Sequence, residues 1–318
     1  MPINQLGTDW LSWAVDQVHP QLKTWYSQAQ LESNLTDQLD LDLDRLENFG
    51  EGFERNMPIA GAMPAMYNHR VLEVAGMRVM LGIRFRGGDI AIPFVDLLRS
   101  SRAITSAAQV ETICALVRQE FAVFKPLMVR FYQPAHLEFQ IDVPGSSGDK
   151  RVLVAPLTTM LEHPKPLGLE RVSLRRATDL GFYQRYADTY AAVYQERPWL
   201  PHEAEPESLE DMQEHLETNH VFEVFVDGQW AGITGGEHRS NEFALRGFVV
   251  IEMLLAKFAR GQGLGAAVQY RLAEALQASG VPEDVLYGTI GSNNPPMLKT
   301  AARVGRLDLG GWIWVDLP

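Results

Sequence analysis

GFVVIEMLLAKFARGQGLGAAVQYRLAEALQ, Gly247 to Gln277, is the stretch on which the reading of this chain turns. Phe248 to Ala256 is a nearly unbroken apolar and β-branched run, the pattern of a strand buried on both faces, interrupted by a single carboxylate, Glu252. Three glycines at alternate positions follow in Arg260-Gly261-Gln262-Gly263-Leu264-Gly265, and Val268, Leu272, Ala275 and Leu276 then recur at helical spacing. The order is strand, glycine loop, helix. A helix start leaves four backbone N–H groups without intrahelical partners and carries roughly half a positive charge. Glycines let an anion approach that backbone with no Cβ in the way, and Arg260 adds a charge-assisted donor, so the loop reads as a diphosphate cradle.

Two ligand classes use such a loop. Gly261, Gly263 and Ala266 satisfy the dinucleotide fingerprint G-x-G-x-x-A, which calls for an acid at the end of the next strand. That strand, Val285 to Ile290, ends in Gly291-Ser292-Asn293-Asn294, without one. The pattern R-x-x-G-x-G after a strand instead resembles the signature of the GNAT family of acyl-CoA-dependent N-acyltransferases, with Arg260, Gly263 and Gly265 at its three defining positions. The order that follows is similar too: the strand Val285 to Ile290, an Asn-led helix from Asn294 to Gly305, then Trp312 to Leu317. One position departs. Ala301 stands where many members carry a tyrosine that protonates the leaving thiolate, and Ser292, Thr289 and Tyr287 are its candidate replacements.

The resemblance implies an α/β (α+β) fold, a GNAT fold with a mixed, mostly antiparallel central sheet flanked by helices. It implies acyl-CoA, most simply acetyl-CoA, in a V-shaped gap between Phe248–Ala256 and Val285–Ile290. The backbone of Met253, Leu254 and Leu255 would bond the pantetheine amides as though adding a strand. Arg260, Gly261, Gln262, Gly263, Leu264, Gly265 and Ala266 would hold the diphosphate, with Asn294 on the pantetheine side and Arg303 completing the cofactor set. Glu252 is the first candidate base and His238 the second; Glu252 pairing with Arg246, or holding a substrate ammonium, are the alternatives. The expected reaction is acetyl transfer to a primary amine of a small molecule by direct attack in a ternary complex, with no metal. A non-catalytic acyl-CoA sensor, a protein N-acetyltransferase and, last, a nicotinamide enzyme are the competing functions.

Composition bounds the rest. At 318 residues, 46% apolar and 21% charged, the chain is long enough for two domains. A net charge of −12 argues against nucleic acid as a general partner. No basic apolar leader and no apolar run approaching membrane length point to a cytoplasmic protein with no membrane partner. The lone Cys114 excludes a disulfide framework and reads as a buried, inert thiol. Residues 1 to about 55 look helical and polar, Asp37 to Glu47 reads as a solvated helix face, and Met57 to Tyr67 as an apolar loop.

Further on, strands are expected at Val71–Val74, Met77–Phe85 and Asp89–Val95, a helix at Ala107–Phe124 and a strand at Leu127–Tyr132. A hairpin, His136–Val143 and Arg151–Pro156, closes the series. This order echoes the C-terminal half, but Arg99-Ser100-Ser101-Arg102-Ala103 occupies the loop position and has no glycine. A tandem protein is therefore expected. Residues 1–165 would be a degenerate GNAT-like lobe without a phosphate loop, with an unrelated α+β domain as the competing view, and 166–318 the acyltransferase domain, joined at Pro164 to Gly168.

The second half opens with a strand, Arg171–Arg175, and a helix capped by Thr178 or Asp179. Tyr183, Tyr186, Tyr190 and Tyr194 share one face of that helix, as core packing or as the rim of an acceptor site. The loop Arg197 to His202 and the acid-rich Glu203–Glu217 would border that site, either as a solvated helix or as an attractor of a cationic amine.

Overall fold

Ser27 starts a 17-residue helix with a reciprocal capping box, its hydroxyl accepting the Gln30 N–H while its own N–H donates to Gln30 Oε1. Caps of this kind start only some of the elements of the computed structural model, which describes residues 3–197, 205–218, 220–279 and 284–317 and contains the following elements. In chain order these are α1 (Ile3–Gln17), α2 (Leu22–Trp25), α3 (Gln28–Asp44), α4 (Gly50–Asn56) and α5 (Pro64–Tyr67), then β1 (Arg70–Val74), β2 (Met77–Phe85) and β3 (Pro93–Ser100). Next come α6 (Ala107–Glu120), β4 (Met128–Pro134), β5 (Ser146–Pro156), α7 (Leu157–Glu162) and β6 (Val172–Arg176). The remainder is α8 (Tyr183–Glu196), α9 (Leu209–Thr218), β7 (His220–Val226), β8 (Gln229–Glu242), β9 (Leu245–Leu255), α10 (Gly265–Gln277), β10 (Val285–Gly291), α11 (Pro295–Ala302) and β11 (Leu307–Asp316).

Two compact units result. Unit 1 is Met1–Arg151 with Asn241–Leu245 and Leu309–Pro318; unit 2 is Val152–Ser240 with Arg246–Asp308. Pro164 to Gly168, expected to be the interdomain linker, lies inside unit 2. Leu157, Met160 and Leu169 on either side of it pack into that unit's core, while Leu167 is 93% exposed. Proline and glycine mark a surface turn as readily as a boundary.

In unit 1, β1, β2 and β3 run antiparallel, and β3 then pairs in parallel with β4 at Phe94↔Met128, Val95↔Val129 and Asp96↔Arg130. β4 pairs antiparallel with β11. The helix α6 buries Val110, Ile113 and Val117 against this sheet. Burial pushes the thiol of Cys114, on the same helix, up to about 11, so it stays protonated and unreactive. Three expectations change here. The strand expected at Asp89–Val95 runs over Pro93–Ser100, so Arg99 and Ser100 belong to it rather than to a loop. His136–Val143 is not a strand, because the buried Gln133 side chain takes over its backbone, donating to Phe139 O at 2.7 Å and accepting from the Ile141 N–H at 2.6 Å. The acidic face of α3 is solvated at Asp37, Asp40 and Asp44, but Asp42 turns inward and pairs with Arg99 at 2.8 Å.

Unit 2 has β6, β7 and β8 in antiparallel order, with β9 between β8 and β10. Alternation along β7 sorts its two faces: Phe222, Val224 and Val226 join the cluster under α10, and Val221 joins the cluster under α8. Between them Glu223 is buried but held by Arg175 at 2.5 Å and Arg185 at 3.2 Å. Asp179 caps the turn leading to α8, accepting the Gly181 N–H at 2.8 Å.

β9 and β10 are parallel and pair at only three positions, Val285↔Gly247, Leu286↔Phe248 and Tyr287↔Val249. Gly247 sets that approach, since its φ is +146° and a Cβ there would lie 2.3 Å from Val285 O. Gly247→Ala should therefore lower stability in urea by roughly 2–4 kcal/mol. Gly228→Ala, with φ +79° and nothing within 4 Å of its Cβ, should lose only about 1 kcal/mol.

Candidate active site

Beyond Val249 and Tyr287 the two strands of unit 2 no longer pair, and β9 runs on to Leu255 before a single 3₁₀ turn, Lys257–Ala259, delivers the chain to the glycine loop. Gly261 and Gly263 have φ of +76° and +75°, the left-handed conformation for which glycine is suited. The N-cap of α10 is Leu264, which has no side-chain oxygen to offer the first N–H groups of the helix. Gly265 is small for a packing reason, since a Cβ there would lie 2.9 Å from Thr300 Cγ2 of α11.

Charge gathers around this backbone. Arg260 Nη1 is 2.9 Å from Glu196 Oε2, and Lys257 Nζ is 3.1 Å from Glu196 Oε1; the two cations hold that carboxyl below its ordinary value. Arg260 Nε and Nη2 are buried and find no acceptor among the described residues. Leaving such donors unmade costs free energy, so they are a vacant half of an interaction. The exposed Arg303, just past α11, brings Nη1 within 3.9 Å of where a Gly263 Cβ would stand. Unpartnered guanidinium nitrogens, an uncapped helix start and left-handed glycines fit the oxygens of a diphosphate.

Glu252 projects from β9 into a cage of donors. Tyr186 and Tyr190 of α8 each donate a hydroxyl to Oε2 at 2.9 Å, and the Met253 N–H donates to Oε1 at 2.8 Å. The Glu207 N–H in turn donates to the Tyr186 oxygen at 2.8 Å, and Tyr183 donates to Glu207 O at 3.0 Å. Burial raises the Glu252 pKa above the usual carboxylate range, although all three hydrogen bonds pull the other way. Burial and the neighbouring carboxylate also raise both tyrosines, which stay protonated as donors. Arg246, the partner considered for Glu252, instead lies 4.0 Å from Asp284.

The other residues singled out from sequence fall in different places. His238 is not brought to Glu252. Its Nε2 lies 3.2 Å from both oxygens of the buried Asp284, and its ring is 5.0 Å from Phe248, four residues and roughly 13 Å along β9 from Glu252. Asn294 Oδ1 caps α11 by accepting the Met297 N–H at 3.4 Å. Ala301 is fully buried with Leu153 and Ile290, so its position faces packed side chains, where a tyrosine has no room. Among the replacements, Tyr287 is buried and Thr289 is exposed on β10. Residues 198–204, and with them most of the loop expected to border an acceptor, lie outside the described residues. The acids of α9 are largely solvent-facing. The tyrosines' bond to Glu252 was not foreseen; their i, i+4 spacing was the available signal, and the carboxylate partner lies more than sixty residues away.

No protein-family profile matches the sequence, and no curated protein is significantly similar to it. Solved structures do match. An acetyltransferase of the GNAT family from Colwellia psychrerythraea aligns with a TM-score of 0.51 at 15% identity, covering 90% of this chain and 97% of that one. A tandem GNAT protein from the clavulanic acid biosynthesis pathway aligns at 0.46 and 12% identity, covering 88% and 95%. The fold is the GNAT fold. No described helix is long and apolar enough to cross a membrane.

The Glu252 cage makes a prediction independent of any activity. In a carboxyl-carbon NMR titration Glu252 should ionise above the ordinary glutamate range, and Tyr190→Phe, which removes a donor favouring the charged form, should move the midpoint further up. Because the folded pKa is raised, the neutral acid stabilises the fold at low pH, and that contribution fades as pH climbs through the raised value. A midpoint at or below the ordinary range would contradict the assignment.

Proposed function

We propose that unit 2 is an acyl-CoA-dependent N-acyltransferase, moving an acyl group, most simply acetyl, from the coenzyme A thioester to a primary amine of a small molecule. The observation that carries this reading is the cradle at the open end of the splayed pair: uncapped α10, Gly261 and Gly263 in the left-handed conformation, and the buried, unpartnered nitrogens of Arg260. Arg260 and Arg303 neutralise the diphosphate, and the unpaired edge of β9 around Leu255 receives the pantetheine amides. The bound thioester supplies the activated acyl carbonyl.

The chain's own task at the reacting centre is proton management. Glu252 has a raised pKa, which brings a carboxylate base nearer the working pH, and two tyrosine hydroxyls fix its orientation. It takes a proton from the amine as the nitrogen forms its bond to the carbonyl carbon; the carbon–sulfur bond then breaks and the departing sulfur gains a proton. Thr289, the exposed hydroxyl of β10, and solvent return that proton in place of the family's tyrosine. The Met253 N–H, now bonded to Glu252, is the β9 donor suited to polarising the carbonyl once the carboxylate shifts toward the amine. His238, held by Asp284, takes no part. The carboxylates of this region favour a cationic acceptor over an acidic one.

Two measurements test the reading. Gly261→Asp places a carboxylate in the cradle where nothing lies within 4 Å of a Cβ; its φ of +76° costs about 1 kcal/mol, and circular dichroism should show the variant still folded. Calorimetry should show acetyl-CoA binding to wild type and a loss of about 100-fold in the variant, from like-charge repulsion. Glu252→Gln should leave that affinity within a few fold and cut amine-dependent thiol release by roughly 10²–10⁴. Equal affinity in wild type and Gly261→Asp, or undiminished release in Glu252→Gln, would refute the corresponding assignment.

A further inference from the structure

Unit 1 has its own splayed parallel pair, and a cavity of about 480 Å³ opens there. β3 and β4 part after Asp96 and Arg130; Leu97 to Ser100 line the cavity from one strand, Tyr132 and Pro134 from the other. Three observations show that this opening is not built for a diphosphate. The start of α6 is capped, Ser106 Oγ accepting the Gln109 N–H at 3.4 Å while Gln109 Oε1 accepts the Thr105 N–H at 2.8 Å. The main chain at the end of β3 is engaged by α1, since Gln17 Nε2 donates to Ser100 O at 2.8 Å. The charges on the walls are already matched: Arg99 pairs with Asp42 at 2.8 Å, and Arg130 holds Asp96 through two bonds of 3.0 and 2.5 Å.

The rest of the lining is aromatic and apolar. Tyr132, Phe243 and Trp312 form one wall, with ring centroids 5.3–6.4 Å apart. Phe243 and Ala244 hold φ of 55° and 62°, a conformation side chains rarely adopt, and Asn34 Nδ2 fastens this turn by donating to Ala244 O at 3.0 Å. Trp10 of α1 also lines the cavity. Its side chain is 1% exposed and packs with Leu39 and Met80, so it backs the lining with an apolar ring.

We propose that this cavity binds an uncharged, planar, largely apolar small molecule, whose face the aromatic wall of Tyr132, Phe243 and Trp312 covers. Matched charges disfavour an anionic ligand, and the volume and aromatic lining suit a molecule of two or three rings. Unit 1 is thus a ligand-binding lobe whose specificity differs from that of the α10 cradle, whether or not unit 2 turns over.

Prodan, a neutral naphthalene bearing a propionyl ketone, is the probe. Titrated into the full chain, it should show saturable single-site binding with a blue-shifted emission. Phe243→Ala removes one ring of the aromatic wall and should weaken binding roughly two- to tenfold. Ala14→Trp and Ala103→Trp fill the cavity from two different segments of its lining; any of them that retains the wild-type circular dichroism should no longer bind. Acetyl-CoA should leave the bound probe in place. The proposal is overturned if wild type shows no saturable binding, if folded filling variants bind as wild type does, if Phe243→Ala is without effect, or if acetyl-CoA displaces the probe.

Discussion

Two parallel strands that pair at three positions and then separate are the constraint on which unit 2 depends. Parallel strands in a packed sheet ordinarily keep their ladder, because an unpaired N–H or C=O away from water is costly. Here the ladder is abandoned where β9 carries Glu252 and leads into the glycine loop, leaving main-chain groups that a bound molecule can pair with. Gly247 holds the closed end of the pair by letting Val285 come within backbone distance. The tyrosines of α8 and the uncapped start of α10 then act on the space beyond it.

The same division of strands occurs in unit 1 and is resolved by different chemistry. Gln17 and Ser106 complete hydrogen bonds that unit 2 leaves open, and paired arginines and aspartates replace unpartnered guanidinium nitrogens. One topology therefore supports an electropositive cradle in one unit and a charge-matched, aromatic cavity in the other. A shared fold sets where a ligand can lie, and the side chains set which ligand.

What could be read from sequence divides along the range of the interactions. The strand–loop–helix order around Arg260 was legible because glycine spacing and helical periodicity are local signals, and the elements appear within a few residues of their expected bounds. The cage around Glu252 was not, since hydroxyls of Tyr186 and Tyr190 reach it from more than sixty residues away and a stripe of tyrosines packs equally well without a carboxylate. Asp42 looked like one more solvated acid until its register on α3 put it against Arg99. The expected strand at His136–Val143 failed for a related reason: one buried amide, Gln133, outcompeted the ladder for its backbone groups. His238, the second candidate base, had a suitable chemical type, but its place beside Phe248 and Asp284 is set by long-range packing that the local sequence does not display.

Hydrogen exchange in the presence of acetyl-CoA tests the central claim most directly, because the claim concerns which backbone N–H groups are waiting for a partner. Protection should appear at Gly261–Ala267 and at the end of β9 near Leu255, with no change at Thr105–Gln109, where Ser106 and Gln109 already complete the bonds. Protection at Thr105–Gln109 instead, or none at the α10 start with acetyl-CoA saturating, would contradict the account of which lobe holds the cradle.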